Sequence, residues 1–65
     1  MDLGKNLAKA RKEAGLSQKE LADRLEVHQK DISRWENNDR SPTAVTLSRI
    51  CRELNASADI VLELK

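Results

Sequence analysis

The sequence predicts an all-α fold, one bundle of four to five short helices. Three observations carry this. Apolar residues recur at intervals of three and four along most of the chain, the period of helices buried on one side. Start and stop signals separate those stretches, with Ser17 and Thr43 at starts, and Gly15 and Asn37-Asn38 at stops. Finally, a chain of 65 residues with Trp35 as its one aromatic has room for a single thin aliphatic core. A domain of this size buries only about 60% of its unfolded surface, so support from a second subunit is expected.

Leu3, Leu7, Ala10 and Ala14 make the apolar stripe of the first helix. Lys5, Lys9, Arg11 and Lys12 fall off that stripe and are expected on a solvated face. Gly15 ends the helix. Ser17-Gln18-Lys19-Glu20 reads as a capping box: the Ser17 hydroxyl accepts from the Glu20 N–H, and the Glu20 carboxylate accepts from the Ser17 N–H. Leu21, Ala22 and Leu25 line the inner side of this short second helix.

Glu26-Val27-His28 leaves no room for a long loop, because a new helical pattern begins at once. The third helix is expected over 28–37, with Ile32 and Trp35 inward and Gln29, Lys30, Ser33 and Arg34 on the other side. Asn37-Asn38 stops it, since Asn tolerates the left-handed conformation of a helix end. Asp39 to Pro42 is a loop, and Thr43 caps a fourth helix with the stripe Leu47, Ile50, Cys51 and Leu54.

The last segment admits two readings. Ser57 with Asp59 can cap a short fifth helix, but Ile60, Leu62 and Leu64 alternate with Val61, Glu63 and Lys65 as in a strand. The strand is favoured. A lone strand after four helices lacks a partner within its own chain, so pairing with its copy across a two-fold axis is expected, through Ile60, Val61, Leu62 and Leu64. The chain then divides into a helical region, 1–56, and a dimerisation segment, 57–65, of the same domain.

Twelve basic residues against eleven acidic ones give a net charge of +1, which by itself argues for no class of partner. Any role with nucleic acid requires the basic groups to be segregated in space. Cys51 has no second cysteine to pair with and sits on an apolar stripe, as expected for a buried thiol in a reducing compartment. No signal peptide is recognised and no apolar run nears the roughly 20 residues of a membrane span. A cytoplasmic protein without membrane association is expected. One His and one Cys supply neither a nucleophile with base and orienting group nor a zinc ligand set, and no glycine-rich phosphate loop occurs. Neither catalysis, nor a metal, nor another cofactor is expected.

The second and third helices, joined by a tight turn with the small Ala22 where they touch, match a helix-turn-helix. Such an arrangement holds the polar side of the outer helix where it can enter a major groove about 12 Å wide. Leu16-Ser17-Gln18-Lys19-Glu20-Leu21-Ala22, Val27, Ile32-Ser33-Arg34-Trp35-Glu36-Asn37 and Arg40-Ser41-Pro42 together resemble the phage repressor and Cro (XRE) family. The resemblance runs from about Leu3 to Leu62 and implies a lambda-repressor-like bundle that binds double-stranded DNA as a transcriptional regulator, usually a homodimeric repressor on an inverted repeat.

Carried over residue by residue, the resemblance puts Gln29, Lys30, Ser33 and Arg34 at base edges. Gln18 would fix a phosphate and buttress the reading helix; Ser17, Lys19, His28, Asn37 and Arg40 would meet the phosphate backbone. The chemistry agrees, since Gln pairs with adenine in bidentate fashion and Lys or Arg with guanine N7 and O6. Trp35 is expected to pack rather than stack on bases, and Glu36, which would repel phosphate, to pair within the domain.

The sequence departs from the family at three places. His28 stands where Ser or Thr commonly caps the reading helix, and Glu26 and Asn38 stand where Gly is frequent. Glu26 carries a negative charge that must point away from DNA. The C-terminal alternation and Glu36-Asn37-Asn38 also resemble HipB-type antitoxins, whose domains join through a C-terminal strand. That resemblance implies an alternative role: an antitoxin that holds a toxin protein and regulates its own operon.

Overall fold

A computed structural model of the chain describes residues 2–54. It contains α1 (Leu3–Glu13), α2 (Gln18–Leu25), α3 (Gln29–Glu36) and α4 (Ala44–Glu53), and no strand among the described residues. The predicted segment 57–65, with Ile60, Val61, Leu62 and Leu64, lies outside the described residues.

Local chemistry starts α2 and α4 where the sequence indicates, and α1 at Asp2, which sequence reasoning did not single out. The Asp2 carboxylate accepts the Lys5 N–H at 2.9 Å, and the Thr43 hydroxyl accepts the Thr46 N–H at 3.1 Å. The capping box of α2 is complete: the Ser17 N–H donates to Glu20 Oε1 at 3.0 Å, and the Glu20 N–H to Ser17 Oγ at 3.0 Å. The Glu20 carboxyl is held below its ordinary pKa, the Ser17 backbone N–H acting most strongly and the Ser17 side chain next.

α1, α2 and α3 stop by one device. A residue in the left-handed conformation turns the chain, and two N–H groups reach back to the last turn in a Schellman motif. After α1 it is Gly15 (φ 76°), with Gly15 N–H donating to the Lys12 carbonyl and Leu16 N–H to the Arg11 carbonyl. After α2 it is Glu26 (φ 58°), with bonds from Glu26 to Asp23 and from Val27 to Ala22. After α3 it is Asn38 (φ 62°), with bonds from Asn38 to Trp35 and from Asp39 to Arg34. Gly does this freely and Asn tolerably. For Glu, a left-handed backbone costs about 1–2 kcal/mol, so the unusual feature of Glu26 is its conformation as well as its charge.

The core gathers Leu7, Leu16, Leu21, Ala22, Leu25, Ile32, Ile50, Cys51 and Leu54, bordered by Leu3, Ala10, Val27, Trp35 and Leu47. Helix α3 packs against both α1 and α2, and α4 packs against α2. Arg49 on α4 secures the second contact by donating to the Leu25 carbonyl at 2.9 Å, a group that the end of α2 leaves without a helical donor. Cys51 is buried, and that burial raises its thiol pKa, keeping it protonated.

One expectation for α1 is corrected. Arg11 is buried, at 8% exposure, while Ala14 is exposed. The row that faces the core therefore runs from half-buried Leu3 through buried Leu7 to buried Arg11, four residues apart, rather than ending at Ala14. A guanidinium enters it because an acceptor waits on α3, as described next.

Candidate nucleic-acid interface

Three contacts fix α3. Ile32, 1% exposed, drives its inner side into the core, and burial of such a side chain stabilises by about 1.5–3 kcal/mol. Trp35, half-buried on the same side, packs against the core rather than standing free.

The second contact is polar. Glu36 Oε2 accepts from Arg11 Nε at 2.7 Å, and Glu36 Oε1 accepts from Arg11 Nη2 at 3.1 Å and from Gln18 Nε2 at 3.0 Å. The two charged side chains are 10% and 8% exposed, and the remaining guanidinium nitrogen, Nη1, donates to the Leu16 carbonyl at 2.8 Å. Glu36 thus joins α1, α2 and α3 at one carboxylate, with the bidentate geometry that makes an arginine pair strong. The expected inward pairing of Glu36 is found. Gln18 ties the start of α2 to the end of α3 through this bond, and its amide keeps a second N–H for another acceptor.

The third contact lies at the exit of α3. Asn38 Oδ1 accepts the Gly4 N–H at 2.9 Å, and Asn38 Nδ2 donates to Asp2 Oδ1 at 2.8 Å. The backbones come so close that a Cβ at Gly4 would overlap the Glu36 carbonyl. Asp2 is held below its ordinary carboxyl pKa, chiefly by the Asn38 amide and then by the Lys5 N–H. Sequence reasoning missed Arg11, Gly4 and this role of Asn38. A glycine one residue into a helix, where a side chain is normally harmless, was the available signal for the close approach.

Positions 29, 30, 33 and 34 share one side of α3. Gln29, Lys30 and Arg34 are exposed and Ser33 half-buried, its Oγ accepting from Asn37 Nδ2 at 3.3 Å. Both acids of α3 are engaged elsewhere: Glu36 inward, and Asp31 at the helix start, where it accepts the His28 N–H at 3.3 Å. Hence Lys30 and Arg34 supply the charge on the outer side, a local segregation that the overall charge of +1 conceals.

The remaining candidates flank this side. Ser17 and Lys19 are exposed at the start of α2, with Gln18 half-buried between them. Asn37 and Arg40 are exposed in the turn after α3. The bond from Gln18 to Glu36 brings the start of α2 beside the end of α3, so Gln18 and Asn37 belong to one neighbourhood. His28, exposed at the opposite end of α3, stands apart from that group.

The helix-turn-helix family profile matches residues 7–61, most of the chain. The chain is 39% identical over 62 residues to the HTH-type transcriptional regulator ImmR of Bacillus subtilis (strain 168), covering 95% of this chain and 49% of that protein. It is 36% identical over 55 residues to y4dJ of Sinorhizobium fredii, named as an uncharacterized HTH-type transcriptional regulator, covering 85% of this chain and 71% of that protein. The chain therefore spans about half the length of ImmR. With a matching family profile, two such relatives and the motif on α2 and α3, this chain is a member of the helix-turn-helix family, in its phage repressor and Cro (XRE) branch.

Proposed function

We propose that this chain is a sequence-specific double-stranded DNA-binding transcriptional regulator whose α3 reads the major groove. The observation that carries the reading is the division of α3 into two sides. Its acids are consumed by Arg11, Gln18 and the His28 N–H, while Gln29, Lys30 and Arg34 are exposed, with Ser33 half-buried on the same side, and carry a net positive charge. Both relatives are named as HTH-type transcriptional regulators, which supports the same role. In this reading Ser17, Gln18, Lys19, His28, Asn37 and Arg40 contact phosphates, setting register and most of the affinity, while the four outer residues of α3 set sequence preference.

A single α3 covers few base pairs, so the proposal includes a homodimer, joined through Ile60, Val61, Leu62 and Leu64, that reads two half-sites about 34 Å apart in an inverted repeat and acts as a repressor. Selection of bound sequences from random duplex DNA should return such a repeat. On the selected site, Arg34→Ala and Lys30→Ala should each cost about 1–3 kcal/mol, with smaller losses on random duplex. Equal losses on both DNAs would reject the base-reading role. Deleting residues 60–65 should turn the dimer into a monomer in light scattering; a dimer that survives the deletion refutes this mode of association.

A further inference from the structure

Asn38 has no need to be more than a helix stop, yet both ends of its amide are committed. Its Oδ1 faces an obligate donor, the Gly4 N–H, and its Nδ2 faces a carboxylate that only accepts, so the two partners fix the amide orientation. The partners are 34 and 36 residues away in sequence, at the very start of α1. The same residue sets the left-handed corner from which the Asn37–Arg40 turn leaves α3, and the Arg40 N–H returns to the Arg34 carbonyl at 3.3 Å. Gly4 admits this approach because it has no Cβ to strike the Glu36 carbonyl.

We infer that Asn38, latched to Asp2 and Gly4, is a positioning residue for DNA binding: it holds the turn that carries Asn37 and Arg40 in the shape that meets the phosphate backbone. The inference rests on the DNA-binding reading above and adds to it the start of α1, which by composition has no business with DNA. An exposed turn ordered in advance loses less freedom on binding, so the latch raises affinity without touching the ligand. Phosphate contacts are blind to sequence, and so its loss weakens binding to every duplex alike.

The Asp2 carboxylate makes the test sharp. Removing a negative charge from a DNA-binding surface tightens binding if long-range electrostatics is all that matters. The latch predicts the opposite for Asp2→Ala, which abolishes the acceptor. Asp2→Asn, which removes the charge and keeps an acceptor oxygen, should bind at least as tightly as the unaltered chain.

Affinity is measured against salt for the full chain and for Asn38→Gly, Asp2→Ala and Asp2→Asn, on a selected site and on random duplex, with helicity checked by circular dichroism. Asn38→Gly retains the left-handed corner and loses both latch bonds. It should weaken binding about tenfold on both DNAs, and flatten the dependence of log affinity on log salt by about one to two phosphate contacts. Asp2→Ala, which leaves the bond from Gly4 to Asn38, should fall by about threefold in the same direction. If Asn38→Gly does not fold, the two Asp2 variants decide alone. An unchanged salt slope in Asn38→Gly, or tighter binding by Asp2→Ala, overturns the positioning role while leaving DNA binding standing. A parent chain whose duplex affinity is indifferent to salt overturns the reading beneath it.

Discussion

The C-terminal end of α3 is gripped through two side chains, Glu36 by Arg11 and Gln18, and Asn38 by Asp2 and Gly4. Its N-terminal end has nothing comparable. His28 is exposed, one bond of 3.3 Å to Asp31 supplies the cap, and the preceding turn passes through Glu26 in a conformation that suits glycine better. The difference separates two tasks. The turn that we propose meets phosphates is held by contacts that reach across the domain, whereas the start of the helix is held by residues next to it in sequence. Changes near Gln29 and Lys30 should therefore leave the fold intact, and changes near Glu36 should not.

The comparison breaks most visibly at the buried pair. Glu36→Ala strands the Arg11 guanidinium in the core and should cost about 3–5 kcal/mol, a large share of what a small domain possesses. Thermal unfolding followed by circular dichroism should lose its cooperative transition. Replacing both partners, Arg11→Met with Glu36→Leu, should recover much of that loss, since no charge is then left buried. A double variant as unstable as the single would show that the loss comes from the missing bonds to Glu36 rather than from a stranded charge.

The two strained corners give the next effect. Glu26→Gly should raise stability by about 0.5–1 kcal/mol, the relief of a left-handed Glu less the added freedom of the unfolded glycine. Asn38→Gly, at nearly the same φ, should not raise it, because the latch bonds go with the side chain. Equal gains in urea midpoints at the two positions would show that those bonds contribute nothing. At the weakly held end, His28→Ser supplies the missing side-chain cap and should add a few tenths to about 1 kcal/mol.

Acidification should produce the smallest effect. Asp2 and Glu20 have folded pKa values below their ordinary ones, so the stability they contribute is complete above the unfolded carboxyl values near pH 4. It is lost as pH falls through the lowered folded values. The urea midpoint should therefore drop below about pH 4, and drop less in Asp2→Asn; an identical drop in that variant would remove Asp2 from the account.

Helix positions were readable in the sequence because their causes are local. The Ser17–Glu20 box, the Thr43 cap, Gly15 and the Asn pair each act within a turn of the helix they bound, and the α4 stripe from Leu47 to Leu54 appears as periodicity predicts. Glu36 was readable as an inward acid, because a carboxylate has no favourable place at a phosphate surface. Its partner was not. Arg11 continues the four-residue row of Leu3 and Leu7, but its acceptor lies on α3, so α1 alone gives no reason for a cation to enter the core.

What the sequence settled by itself is a set of short helices with one polar outer side, since propensity, capping and hydrophobic period act over three or four residues. What tertiary structure decided is which polar groups meet across distances of 18 to 36 residues: Gln18 and Arg11 on Glu36, Asp2 and Gly4 on Asn38. Those meetings depend on the angle and spacing at which helices pack, a property of the whole core that no single segment carries.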